Sequence, residues 1–472
     1  MIVKRLFEPK LAQTSYLIGC LECREAIVID PNRDAEQYLK LAESEGVRIA
    51  HVTETHIHAD YLSGSRELAA RTGATLYLSD EGDANWKYLF ADEPGVKSIK
   101  DGDRIKVGNV MIDVVHTPGH TPEHLTFLVT DGLVASEPIA AATGDFIFVG
   151  DVGRPDLLER AANIAGTMET SAKAMYHSLQ SFASKPDWLQ IWPGHGAGSA
   201  CGKGISAIPH STLGYERRFN WALQPMSEAD FVKNALAGQP EPPKYFAEMK
   251  RLNKEGPRIL HGFHRPELLE LSALDRALKA GALVVDARPG AHFAAAHVPG
   301  TISIPLNKSF TGYAGWLVPF GADFYVIVDD RVTGAIDTIT RDLAMIGLDR
   351  VAGYFDAAVI DQWSGDGRPT ESIRQIESAD LRESLARGAV TLIDVRNQVE
   401  WDEGHIAGAR HIPLGYLPDR ISEVPRSKPV VLQCQTGVRS LIAASVLQAN
   451  GIEQAINLKG GFADWAKAGN LY

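Results

Sequence analysis

Residues 55–61 read Thr-His-Ile-His-Ala-Asp-Tyr. His56, His58 and Asp60 are three metal-ligand side chains spaced two apart, and in an extended chain alternate residues share a face, so all three could reach one cavity. Further candidates follow in Thr117-Pro-Gly-His120, His124, Thr143-Gly-Asp145 and Trp192-Pro-Gly-His195. Histidine and aspartate in glycine-containing turns at successive strand ends make a loop-built metal site. A second chemistry sits near the other end, in Cys434-Gln435-Thr436-Gly437-Val438-Arg439-Ser440. A thiol at the end of an apolar strand, in a loop that opens a helix, lies in an electropositive nest that favours thiolate and persulfide anions. Arg439 adds a fixed positive charge.

The elements that must position these residues can be read from spacing. Residues 1–224 read as short strands, glycine-rich loops and a few helices. Residues 17–19 and 26–30 form a predicted hairpin with Cys20 to Arg24 at its turn. Strands are expected at 48–55, 109–116, 125–130 and 190–192, and 62–72 has helical spacing. Residues 225–258 read as a connector, stiffened by Gln239-Pro-Glu-Pro-Pro243. Beyond it the chain repeats. Asp286-Ala-Arg288 matches Asp394-Val-Arg396, His297-Val-Pro-Gly300 matches His405-Ile-Ala-Gly408, and Ile304-Pro-Leu306 matches Ile412-Pro-Leu414. Each pair has the same offset of 108 (394 − 286, 405 − 297, 412 − 304), so two tandem domains are predicted at 259–370 and 371–472, each alternating strands with helices around a parallel sheet.

A chain of 472 residues is too long for one core. Its formal charge of −12 opposes binding to nucleic acid or anionic membranes, and no apolar segment has the length of a membrane span. The first residues lack the apolar run of a signal peptide, which gives the expectation of a cytoplasmic protein. Four cysteines in a chain this long are no disulfide framework, so Cys20, Cys23, Cys201 and Cys434 are individual thiols. A homo-oligomer is expected from size and base rates alone.

The motifs of residues 1–220, occurring in order, resemble the metallo-β-lactamase superfamily. That resemblance implies an αββα sandwich with metal at one edge, within an α/β multidomain chain. It implies His56, His58 and His120 around one metal with Asp145 beside it, and Asp60, residue 61 and His195 around a second. A dinuclear site of this type carries histidine at position 61, and this chain has Tyr61. A neutral phenol is a poor replacement for imidazole, so a dinuclear hydrolase of the glyoxalase II type is disfavoured. His56, His120 and Asp145 remain, and two histidines with one carboxylate form the facial triad of non-haem Fe(II) oxygenases. His58, Asp60 and His195 become optional ligands or groups that orient the site. Within the superfamily the chain looks most like the persulfide dioxygenases, which oxidise a thiol persulfide with O2 to sulfite. Val149-Gly-Asp-Val-Gly-Arg154-Pro-Asp156 resembles their Gly-Arg-x-Asp segment, and Arg154 is expected to hold substrate, the alternative being that it frames a helix start at Pro155. Tyr61, His124 and Cys201 are further substrate-contact candidates. Cys201, in a Gly-rich loop, either relays sulfane sulfur or merely fits a tight turn. Cys20 and Cys23, a lone Cys-x-x-Cys, are weak evidence for zinc. His51 and His116 are read as structural.

The last domain resembles the rhodanese sulfurtransferases, through Asp394-Val-Arg396, Glu400-Trp401, Gly404-His405-Ile406 and the Cys434 loop, whose short length is that associated with sulfur substrates. Cys434 and Arg439 are its catalytic candidates, with Gln435, Thr436, Gly437, Val438 and Ser440 forming the loop. In the repeat at 259–370 the equivalent strand runs into Asp329-Asp330-Arg331, and no cysteine lies between Cys201 and Cys434. That module is read as inactive. The whole chain resembles fusions of a persulfide dioxygenase with tandem rhodanese domains. The resemblance implies one Fe(II), a persulfide of glutathione, coenzyme A or a similar thiol, O2 and sulfite, with thiosulfate as a product and the direction of sulfur flow open. The alternatives are a metal-dependent thioester hydrolase with an appended sulfurtransferase, and a non-enzymatic sulfane-sulfur carrier.

Overall fold

The computed structural model describes residues 1–157, 159 and 166–469. The chain divides into two compact units, Met1–Gly262 with Ala344–Gly347, and Phe263–Leu343 with Leu348–Tyr472. Among the described residues no helix is long and apolar enough to cross a membrane.

The first unit is built on two six-stranded sheets. One runs in sequence order through β1 (Ile2–Glu8), β2 (Gln13–Cys20), β3 (Glu25–Ile29), β4 (Arg48–Thr53), β5 (Thr75–Ser79) and β6 (Val96–Ile99). Its first three strands pair antiparallel and the rest parallel. The other contains β7 (Arg104–Val107), β8 (Val110–His116), β9 (Leu125–Asp131), β10 (Ala140–Gly144), β11 (Gln190–Pro193) and β12 (Ser211–Thr212), again adjacent in order. Side chains alternate across a strand, and β2 shows the consequence. Tyr16, Ile18 and Cys20 join Ile112, Phe127 and Val129 in the core formed with the second sheet. Leu17, between them, joins Tyr38, Ala42 and Leu68 of the helices Ala35–Ser44 and Ser65–Thr72. On the far side the helix Met168–Phe182 places Met175, Leu179 and Phe182 against Leu128, Ala141 and Ile191. This is the expected αββα sandwich.

Two expectations need correction. The strand before the histidines ends at Thr53, so residues 54–64 are irregular and the histidines reach one place by loop geometry, not by strand alternation. The stretch 225–258 is no spacer. Its helix Glu228–Leu236, capped by the Ser227 hydroxyl accepting from the Asp230 amide at 3.1 Å, buries Phe231 and Ala235 in the same core as Met175. A second helix, Tyr245–Glu255, buries Tyr245, Phe246, Met249 and Asn253. Proline-rich composition marks the break between these helices and says nothing about what their apolar faces cover.

The second unit holds two all-parallel sheets. The first contains β13 (Leu283–Asp286), β14 (Ile302–Ser303), β15 (Phe324–Val328) and β16 (Val351–Asp356), in spatial order β14-β13-β15-β16. The other contains β17 (Arg374–Ile376), β18 (Thr391–Asp394), β19 (Arg410–His411), β20 (Val430–Gln433) and β21 (Ala455–Leu458), in order β17-β21-β20-β18-β19. Read from its opposite edge, the second order repeats the first, with Leu268 bridging to Tyr354 where β17 pairs with β21. The repeated residues explain themselves structurally. Arg288 forks onto Asp286 and reaches the Ala296 carbonyl at 2.9 Å; Arg396 forks onto Asp394 and reaches the Gly404 carbonyl at 2.7 Å. His297 stacks on Phe293 at 3.9 Å and His405 on Trp401 at 3.5 Å. Both sets fasten a strand end to the short helix after it, so their recurrence reflects folding.

Asn253 joins the helix Tyr245–Glu255 to the histidine loop. Its amide donates to the carbonyls of His58 and Tyr61, both at 2.8 Å, and its oxygen accepts from the Ser63 amide at 2.9 Å. Asn253→Ala leaves three buried backbone groups unpaired and is expected to destabilise the protein by about 2–4 kcal/mol, read as a lower denaturation midpoint of the full chain.

Candidate metal centre and sulfur loop

His56, His120 and Asp145 are buried, and their ligand atoms lie within 4.8 Å of one another. Asp145 Oδ2 is 3.4 Å from His120 Nε2 and 4.0 Å from His56 Nε2. The far nitrogens fix the tautomers. His120 Nδ1 lies 3.1 Å from the Arg154 carbonyl, which can only accept. His56 Nδ1 lies 2.9 Å from the Thr55 hydroxyl, which donates to Asp30 and therefore accepts from the ring. Both Nε2 atoms thus carry lone pairs toward the carboxylate. Burial, reinforced by His58, His120, His124 and His195, drives His56 well below the ordinary histidine range, and burial lowers His120 as well. Burial works against ionising Asp145, but His195, His120 and their neighbours hold its carboxyl below the usual value. Among the described residues Asp145 Oδ2 receives no hydrogen bond. A buried cluster of lone pairs without protons between them is costly unless a cation sits there, so the donor set fits a divalent metal.

A second group lies alongside. Ligand atoms of Asp60, His195 and Cys201 also fall within 4.8 Å. His195 Nε2 is 3.3 Å from Asp60 and 3.4 Å from Asp145, while its Nδ1 lies 3.1 Å from the Ala12 carbonyl. Among the described residues neither carboxylate oxygen of Asp60 receives a hydrogen bond. Burial, with Asp60 and Asp145 nearby, pushes the Cys201 thiol well up. His58 points its Nε2 at Asp30, 3.1 Å away, leaving Nδ1 buried without a hydrogen bond among the described residues. Burial opposes its protonation, but Asp30 prevails and raises it to about 9.

The structure relocates three expected substrate contacts. The Tyr61 ring packs on His58 with centroids 4.4 Å apart, and its hydroxyl donates to the Asp30 carbonyl at 3.4 Å. It is a buried support for the loop. His124 lies 2.9 Å from the Thr117 hydroxyl through Nδ1, and its Nε2 accepts from the Asp145 amide at 3.1 Å, so it orients the carboxylate. Arg154 is fully buried, forked onto Asp156 at 3.0 and 2.8 Å and donating to the carbonyls of Ala200 and Pro240. A guanidinium so engaged braces the Cys201 loop. Cys20 and Cys23 sit at the predicted hairpin turn, the Cys23 amide donating to Cys20 Sγ at 3.5 Å.

Asp30 carried no motif, yet it anchors the loop. At the end of β3, with φ of 52°, it accepts from the Thr55 amide at 2.6 Å, the Thr55 hydroxyl at 2.9 Å and His58. Its only sequence signal was an aspartate closing the apolar run Ala26–Ile29. Glu54 and Glu123 were missed likewise. Glu54 accepts from Ser63, Ser65 and Tyr88, and Glu123 accepts from the Ile57 amide at 2.9 Å. Asp30→Ala should weaken metal binding about 10–100-fold, measured by competition with a chelator of known affinity.

In the second unit Cys434 follows β20 and is buried. The Gly437 amide donates to its sulfur at 3.2 Å and the Ser440 hydroxyl lies 3.4 Å away. Gly437 has φ of 93°, a conformation that turns its amide inward at low cost only without a Cβ. The helix after it runs Val438–Ala449. Thr436, Gly437 and Val438 wall a cavity of about 580 Å³ whose opposite side includes Ala287, Val328 and Asp329 of the first repeat. Arg396 reaches the Gln435 side chain at 3.4 Å. Arg439 is not a lone cation. It forks onto Glu400 with both bonds at 2.6 Å, and this pair is about a quarter exposed. Asp329, in the position corresponding to Cys434, is forked by Arg331 at 2.8 Å.

Comparisons with known proteins agree with this division. The metallo-beta-lactamase superfamily model matches residues 9–195, and the rhodanese-like domain model matches 377–468. The chain is 30% identical over 236 residues to the human mitochondrial persulfide dioxygenase ETHE1, covering 49% of this chain and 80% of that protein. It is 32% identical over 181 residues to a hydroxyacylglutathione hydrolase of Rhodospirillum rubrum, covering 38% of this chain and 60% of that one. A solved metallo-beta-lactamase structure from Staphylococcus aureus is 41% identical, with a TM-score of 0.69, covering 75% of this chain and 99% of that one. The chain therefore belongs to the metallo-β-lactamase superfamily as a homologue of the persulfide dioxygenases fused to a C-terminal rhodanese-like domain, a pairing that places it in sulfur metabolism.

Proposed function

We propose that the first unit oxidises a low-molecular-weight thiol persulfide, of glutathione, coenzyme A or a similar thiol, with O2, and that Cys434 transfers sulfane sulfur. In the first reaction RSSH, O2 and water give RSH and sulfurous acid, which ionises to sulfite. In the second, the Cys434 persulfide anion and sulfite give the Cys434 thiolate and thiosulfate. The observation that carries the reading is the convergence of His56 Nε2, His120 Nε2 and Asp145 Oδ2 on one point while Tyr61 turns to the Asp30 carbonyl. A two-histidine, one-carboxylate set suits one ferrous ion, which when bound supplies the redox chemistry joining O2 to the sulfane sulfur.

The chain's own residues do the rest. Thr55 and the Arg154 carbonyl hold the imidazoles in the ligating tautomer, and His124 holds the Asp145 backbone. In the second unit the Gly437 amide and the N-terminus of the helix Val438–Ala449 stabilise sulfur as an anion. Glu400 keeps Arg439 in a fixed orientation beside the loop. The repeat at 259–370 has no cysteine; we read it as an inactive rhodanese-like module whose Asp329 loop helps enclose the cavity against Thr436 and Val438.

A thioester hydrolase is the second reading, favoured by the Asp60, His195 and Cys201 group and by the hydrolase relative. Two metals per chain with thioester cleavage and no O2 uptake would establish it. The proposed reading predicts O2 consumption by iron-loaded protein with glutathione persulfide or coenzyme A persulfide, abolished in Asp145→Ala; no uptake with either would remove those substrates. Cys434→Ser should shift product from thiosulfate to sulfite at unchanged O2 uptake, and unchanged products would take Cys434 out of the pathway.

A further inference from the structure

The cavity of about 580 Å³ in the second unit is lined by Arg288, Leu306 and Asp329 of the first repeat. Each follows a strand end of that repeat, where Arg396, Leu414 and Cys434 follow strand ends of the second. The cavity therefore occupies the first repeat's own catalytic position, with a carboxylate in place of the thiol. In the second repeat the loop closes around sulfur, the Gly437 amide donating to Cys434 Sγ and Arg396 Nη1 reaching Gln435 at 3.4 Å. In the first, Asp329 is forked by Arg331, whose side chain is 83% exposed, so the loop turns toward solvent. Arg288 spends Nε and Nη2 on Asp286 and the Ala296 carbonyl, and its Nη1 has no hydrogen bond among the described residues. Much of the remaining wall is apolar, including Val332 from one repeat and Leu441 from the other. Lys459 also lines it, held by an exposed pair with Glu377 at 3.0 Å, a kind of pair that binds weakly. Apolar walls with a few placed donors, at this volume, are the usual form of a small-molecule site.

We propose that this thiol-free pocket binds a low-molecular-weight organic anion with an apolar body, and that its occupancy restrains the Cys434 loop. The anionic group takes Arg288 Nη1, and the body packs on Leu306, Val332 and Leu441. The restraint comes through Gly437, which belongs both to the cavity wall and to the sulfur cradle. Cys434 is 1% exposed, so a reagent reaches its sulfur when the loop moves. A ligand packed on Thr436, Gly437 and Val438 favours the closed loop over the open one. The site requires neither iron nor O2 and is independent of the dioxygenase reading.

The test titrates the full chain with naphthalene-2-sulfonate by calorimetry, with naphthalene-2-sulfonamide as the uncharged counterpart. Expected results are one saturable site per chain and an affinity for the sulfonamide about tenfold lower, the effect of losing a charge-assisted hydrogen bond. Val332→Trp, which fills the cavity from an exposed position, should abolish binding at an unchanged thermal midpoint. With sulfonate at about ten times its Kd, alkylation of Cys434 by iodoacetamide, followed by mass spectrometry, should slow about tenfold. No saturable binding, equal affinity for the two probes, or full binding by a folded Val332→Trp would each overturn the site. Saturable binding with Cys434 alkylated at an unchanged rate would overturn the restraint of the loop and leave the site standing. The sulfonamide comparison needs no variant, so it decides the claim for an anion even where Val332→Trp fails to fold.

Discussion

One carboxylate organises the first unit. Asp30 ends a strand buried between helices and a second sheet, and it holds the Thr55 amide, the Thr55 hydroxyl and His58 together. Because Thr55 gives its proton to Asp30, its oxygen must accept from His56, and His56 must then present a bare nitrogen to Asp145. The nitrogen that His56 presents follows from this single acceptor at the end of β3. Burial strengthens each of these bonds and raises the cost of leaving any partner unmatched.

The same logic explains the residues that turned out to be supports. His124, Arg154 and Tyr61 are polar, near the site and aimed inward, and those are also the properties of substrate contacts. What separates the two roles is whether the polar atoms are already engaged. His124 holds Thr117 and the Asp145 amide, Arg154 holds Asp156 and two carbonyls, and Tyr61 meets Asp30. Asp60 is buried too, and among the described residues neither of its carboxylate oxygens receives a hydrogen bond.

The second unit shows a fold kept apart from its chemistry. The Asp-Arg forks and the stacked histidines recur in both repeats because each fastens a parallel strand to the short helix that follows. The sulfur cradle needs more. It needs a thiol at the strand end and a glycine with positive φ to turn an amide toward it, and Cys434 with Gly437 provides both. In the first repeat Asp329 and Arg331 occupy that place and satisfy one another.

The amino-acid sequence alone carried the repeat with its offset of 108 (394 − 286) and the two candidate chemical centres, through ligand-type residues and glycine turns at fixed spacing. The αββα sandwich, the set His56, His120 and Asp145, and the significance of Tyr61 came from the resemblance of the ordered motifs to the metallo-β-lactamase superfamily. Only tertiary structure decided which nitrogen each histidine presents, because that depends on Asp30, Ala12 and the Arg154 carbonyl, which are distant in sequence. It also decided that 225–258 belongs to the first unit. An amphipathic helix beside a proline-rich break reads the same whether it spaces two domains or, as with Asn253, reaches the histidine loop; only the surface it buries distinguishes the two.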